Sequence, residues 1–190
     1  MVGGALGNPF GAARGAWTRA VLAVLLLLPL GAALAHPGHA DPVTISRNTA
    51  GDIKQIVPLY LQVQEALAAE RFDAAAAAAA ERLQHVAGEA NGKEKDPSGQ
   101  RMYRVVGATA GRIAQSPNID TARRHFSDLS DALLPFLDSW PSHREAHGSV
   151  IYVCKTSEQW WMQKQGAAII PYAGGMAACG ELAHTKQGKE

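Results

Sequence analysis

Asp52-Ile-Lys-Gln-Ile-Val-Pro-Leu-Tyr-Leu-Gln-Val-Gln-Glu-Ala-Leu67 places Ile53, Ile56, Tyr60, Val63 and Leu67 three and four residues apart. That spacing lines one face of an α-helix. Asp52 is a good helix-starting residue by type, and Pro58 inside the pattern predicts a kink near the second turn. Outward from this segment the same period returns. It recurs after Glu70-Arg71 in Phe72, Ala76, Ala79, Leu83 and Val86, then in Met102, Val106, Thr109 and Ile113, with Gly107 and Gly111 weakening the third segment. A fourth series is Ala122, Phe126, Leu129, Leu133 and Phe136, with Pro135 expected to bend its last turn. The unbroken alanine run Ala74–Ala80 favours helix by propensity and lets a neighbouring helix come close. Gly88–Pro97 (GEANGKEKDP) and Ser116–Asp120 (SPNID) read as polar loops. Four amphipathic segments on short polar connections predict an all-α, up-and-down four-helix bundle.

After Trp140-Pro141 the texture changes. Ser149–Cys154 (SVIYVC) is a short β-branched, strand-like run, and Gly166–Gly180 (GAAIIPYAGGMAACG) reads as a loop tail bearing cysteine and methionine. The helical domain with this tail is expected over residues 52–185. Residues 36–51 (HPGHADPVTISRNTAG) have two prolines and no helical period, so they read as a flexible N-terminal arm. Residues 1–35 have the layout of a cleaved secretory signal. Arg14 and Arg19 precede the apolar run Ala20–Leu30, and Ala33-Leu34-Ala35 offers a small-x-small cleavage site. An uncleaved anchor is the competing reading, weakened because the apolar run is shorter than the roughly 20 residues a bilayer core needs. The expected product is periplasmic, with no stable membrane insertion after cleavage. The net charge of +1 on 190 residues becomes −1 without residues 1–35, which gives no reason to expect nucleic acid as a partner.

Two cysteines, Cys154 and Cys179, fall in the tail. In an exported chain an even cysteine count points to a disulfide, which closing a loop of this size would make worth about 3 kcal/mol. The alternative is a pair of thiols that, with Met176, form a soft sulfur set suited to Cu(I). A second copper reading concerns the start of the mature chain. With cleavage after Ala35, His36 and His39 offer an amino nitrogen and two imidazoles for square-planar Cu(II); the alternative is a solvated arm. His143 and His147 are four apart, with Glu145 between them. This is not the metalloprotease order, in which glutamate directly follows the first histidine, and such a pair is more often surface decoration. Trp160 and Trp161 either shield a Cu(I) centre or cap the apolar end of the bundle. No phosphate-binding glycine loop, nucleophile elbow, haem-attachment motif or paired Cys-x-x-Cys occurs, so a non-enzymatic role is expected.

The ordered series Tyr60–Leu67, Phe72–Leu83, Ala122–Leu133, then Cys154, Trp161, Pro171-Tyr172 and Met176-Ala-Ala-Cys179-Gly180 resembles the DUF3347 family over residues 52–181. That family's domain is found alone in exported bacterial proteins and at the C-terminus of heavy-metal efflux adaptor subunits. The resemblance implies a helical bundle with a Cys- and Met-bearing tail, export, and a part in handling copper or related ions, with an efflux adaptor or another envelope protein as partner. Where family members tend to carry Cys-Pro-Met, this chain has Cys154-Lys155-Thr156, which removes one thioether. The reading from a different class is a disulfide-stabilised interaction module of the envelope that binds no metal.

Overall fold

The computed structural model describes residues 42–166, 168–174 and 178–183. The signal-like segment, His36, His39 and Met176 lie outside the described residues. Four long helices follow one another: α1 (Ala50–Ala68), α2 (Ala74–Lys93), α3 (Pro97–Ala114) and α4 (Ile119–Ser139). A single turn, α5 (Ser142–Glu145), leads into strands β1 (Ser149–Cys154), β2 (Gln159–Lys164) and β3 (Gly180–Leu182).

Each helix start has a local chemical cause. Asp73, Asp96 and Asn118 cap α2, α3 and α4, their side chains accepting from the backbone N–H groups of Ala76, Ser98 and Thr121. Pro97 occupies the first turn of α3, where its missing N–H costs nothing. Asp52 is not the cap of α1. That helix starts at Ala50 behind Thr49, and the buried Asp52 pairs with Lys93 at 3.2 Å. The loop expected over residues 88–97 shrinks to 94–96. Helix α2 runs through Gly88 and Gly92 because both lie on its exposed side, while Ala87 and Ala90 continue the buried stripe. Pro58 and Pro135 sit inside α1 and α4, each of which is one continuous helix.

Each long helix packs on the one before it. Between α2 and α3 the contact is close because small residues meet: Ala87 faces Gly107, and a Cβ at Gly111 would lie 2.9 Å from the Gln84 side chain. The glycines that weaken α3 by propensity therefore give it its partner. Helices α1 and α4 meet around Tyr60, whose ring lies 4.7 Å from Phe126 and whose hydroxyl bonds Ser130 Oγ at 2.7 Å.

The segment expected as a loop tail over 166–180 has no strand among its described residues before Gly180, but a small sheet flanks it, so the chain is helix-rich rather than all-α. β1 pairs antiparallel with β2 and with β3, in the order β2-β1-β3. Burial on both faces explains this: Ile151, Tyr152 and Cys154 of β1 and Trp161 and Met162 of β2 are buried, too much apolar surface for a solvated tail. β2 leans on α4 and α1, and its Met162 N–H donates to Tyr60 Oη. The segment read as a flexible arm is likewise fixed over its described part. Thr44 bonds Asp96 and Ser98, Ser46 bonds Glu94, and Trp140 Nε1 donates to the Val43 carbonyl at 2.8 Å. Short polar side chains offset its low apolar content.

Candidate functional site

The sulfurs of Cys154 and Cys179 are joined in a disulfide, with Cα atoms 4.8 Å apart. Cys154 is the last residue of β1, opposite Gly180 of β3, so the bond locks the C-terminal strand to the sheet. Neither sulfur is a thiolate in this state, so the Cu(I) set of Cys154, Met176 and Cys179 does not exist in it. Among the described residues no group of three or more His, Cys, Asp or Glu side chains is placed to hold a metal ion.

Around the disulfide the packing is aromatic. Trp161 is fully buried and stacks on Tyr152 with ring centres 5.5 Å apart. A Cβ at Gly180 would fall 2.7 Å from the Trp161 ring and 2.9 Å from Ile169, so only glycine lets β3 pass under the indole. The structure thus places Trp161 in the core; Trp160 on the opposite face of β2 is half-buried. Tyr172, from the segment before Cys179, lies 4.8 Å from Phe126 and completes a line of rings from Tyr60.

Three polar side chains hold the segment 168–172 in place, and none was singled out from sequence. Gln163 accepts from Trp161 Nε1 and from Ile170 N–H, and donates to the Ala168 carbonyl. Gln64 of α1 donates to the Ile170 carbonyl at 2.6 Å. Arg123 of α4 donates to the carbonyls of Tyr172 and Leu67 and pairs with Glu70 at 2.7 Å. For Gln64 and Arg123, polar residues on amphipathic helices, sequence gives no signal of this use, because their carbonyl partners at Ile170 and Tyr172 lie 106 and 49 positions away.

Beside this seam Gln64, Glu65, Ala68, Gln163, Lys164 and Ile170 line a shallow depression of about 290 Å³. Lys164 Nζ and Glu65 Oε1 face each other at 3.4 Å, and Ile170 is half exposed. The hollow offers an apolar floor and an ion pair, and no nucleophile paired with a base. Burial pushes the hydroxyls of Tyr60 and Tyr172 up from the usual tyrosine value, so both stay protonated.

His143 and His147 do not converge. Helix α5 ends at Glu145; His143 packs on Phe136 with ring centres 5.3 Å apart, whereas His147 lines a hollow with Pro58 and Leu61 of α1. Burial and the nearby Lys54 charge lower the His143 pKa.

Residues 56–143 match the family model described as a protein of unknown function (DUF3347). Over that segment the chain is similar to the DUF3347 family. The DUF3347 match covers α1 from Ile56 through α4 and ends at His143, before the sheet and the disulfide. Tyr60, Glu94, Arg123 and Phe126 fall within the DUF3347 segment; Cys154, Trp161 and Cys179 follow it. No curated protein and no solved structure matches the chain.

Proposed function

We propose that the chain is exported to the periplasm and works there as a non-catalytic accessory module, docking on another component of the cell envelope in the service of heavy-metal handling. The observation that carries this reading is the Cys154–Cys179 disulfide, since structural disulfides persist in oxidising compartments and are rare in the cytosol. The signal-like layout of residues 1–35 supports it independently. Polar residues of the helices and of the turn after α2 hold the tail and the N-terminal segment. Copper enters this reading as Cu(II) at His36 and His39, because the disulfide removes both thiols from a Cu(I) ligand set.

Metal titration of the non-reduced mature protein tests the reading. Cu(I) is expected to leave the melting temperature unchanged. Cu(II) is expected to bind when mass analysis finds His36 first, with binding lost in His36→Ala. A Cu(I)-induced rise in melting temperature without prior reduction would overturn the assignment of the sulfurs to structure.

A further inference from the structure

Charged side chains are sorted by sign at the end of the domain where α1 begins, α2 ends and α3 begins. Three acids turn inward, while Glu145 of α5 stays exposed. Asp52 and Glu94 are buried, Asp96 is half-buried, and each is engaged by Lys93, by Ser46 and Thr49, or by Thr44 and Ser98. The bases Arg47, Lys93, Lys95, Arg101 and Arg104 are all exposed. Helix α3 contains no acidic residue. Lys93 pairs with Asp52; the other four bases meet no carboxylate among the described residues. The group is spatially compact, because Asn48 Nδ2 donates to the Lys93 carbonyl and Lys95 N–H donates to Ser46 Oγ. Arg101 and Arg104 follow in the first two turns of α3.

Trp140 stands at the same end, where α4 stops. Its indole is 42% exposed while its N–H is held by the Val43 carbonyl. Pro42 and Val43, where the described chain begins, therefore also lie at this end.

We propose that this end of the domain is a docking surface for an anionic phospholipid bilayer, with Trp140 at headgroup level and the five bases over lipid phosphates. Tryptophan favours the membrane–water interface, and basic clusters are drawn to anionic leaflets. An acidic protein partner fits less well. Specific protein interfaces are built on a buried apolar centre, whereas the apolar group identified at this end, Trp140, is a single exposed side chain. The chain as a whole is nearly neutral, so the attraction is local and decays within about 10 Å at 0.1 M salt. The place of action rests on the export reading; the binding itself does not.

Co-sedimentation of the purified exported protein with vesicles tests it, comparing pure phosphatidylcholine with vesicles containing about 30% phosphatidylglycerol. Binding is expected only to the anionic vesicles and to be reversed by about 0.5 M salt. Each basic residue near the surface contributes about fivefold, so Lys95→Glu/Arg101→Glu/Arg104→Glu should lower partitioning by at least about 100-fold. The Gln versions of the three should act in the same direction, and circular dichroism should show an unchanged fold. Equal binding to neutral vesicles, binding that survives high salt, or full binding by the triple variants overturns the proposal. So does capture by poly-glutamate without vesicle binding, which would point to an acidic polypeptide instead. A cytosolic, reduced protein would defeat the export reading and leave vesicle binding intact.

Discussion

Replacing Glu94 by Gln probes how the N-terminal segment is held. Glu94 follows α2, is 3% exposed, and accepts from Ser46 N–H and Oγ, Thr49 Oγ1, and the N–H groups of Lys95 and Asp96. Burial alone would raise its pKa. The hydrogen bonds from Ser46, Thr49 and Asp96 outweigh it and hold the carboxyl at about 2, against an ordinary 4.5. That drop corresponds to about 3 kcal/mol of preference for the carboxylate. Its donors Ser46 and Asp96 are part-exposed and Lys95 is exposed, and solvent competing for them leaves roughly half of it in stability. The Gln side chain would also turn an NH₂ toward backbone donors, adding ~1 kcal/mol. The sum, about 2.5 kcal/mol, should lower the melting temperature by about 10 °C. A carboxyl with a depressed folded pKa stabilises fully above its unfolded pKa and loses that contribution as pH falls through the folded one. The gap between parent and variant should therefore be full at neutral pH and close between about pH 4.5 and pH 2. Thermal melts followed by circular dichroism across that range measure it, with the exposed Glu89→Gln as the control. Equal melting temperatures at neutral pH, or a gap that persists unchanged in acid, would refute the reasoning.

Gly180→Ala forces a methyl into the Trp161 ring and should cost about 1–3 kcal/mol; shifted tryptophan emission and a lower melting temperature check it. Tyr60→Phe leaves the Met162 N–H without its partner and should cost ~1–3 kcal/mol, with faster amide exchange at Met162 as the local sign. Cys154→Ser with Cys179→Ser should lose about 3 kcal/mol and open Trp161 to acrylamide quenching while the far-ultraviolet helix signal stays.

The helices were legible because their buried faces repeat every three or four residues, as Ile53 to Leu67 and Phe126 to Leu133 show. Their ends were less so. Gly88 and Gly92 look like breakers in a string of letters and turn out to lie on a solvated helix face, where glycine costs only propensity. The sheet was half visible in Ser149–Cys154. Its partner β2 carries Gln159, Gln163 and Lys164, whose polarity hides that Gln163 is buried and bonded to backbone. The fixing of residues 42–49 could not be read, because the side chains of Thr44 and Ser46 act with Glu94, Lys95, Asp96 and Ser98, some fifty positions away. The disulfide was one of two open readings of Cys154 and Cys179; spacing alone does not decide between a bond and a ligand pair, and the β1–β3 register does.

The central claim is that Cys154 and Cys179 are spent on structure in an oxidising compartment. Trapping thiols in intact cells with an alkylating reagent, followed by the mass of the isolated non-reduced protein, tests it most directly. The account predicts a chain beginning at His36, with no alkyl group added and a mass two hydrogens below the dithiol. A protein that carries two alkyl groups contradicts it.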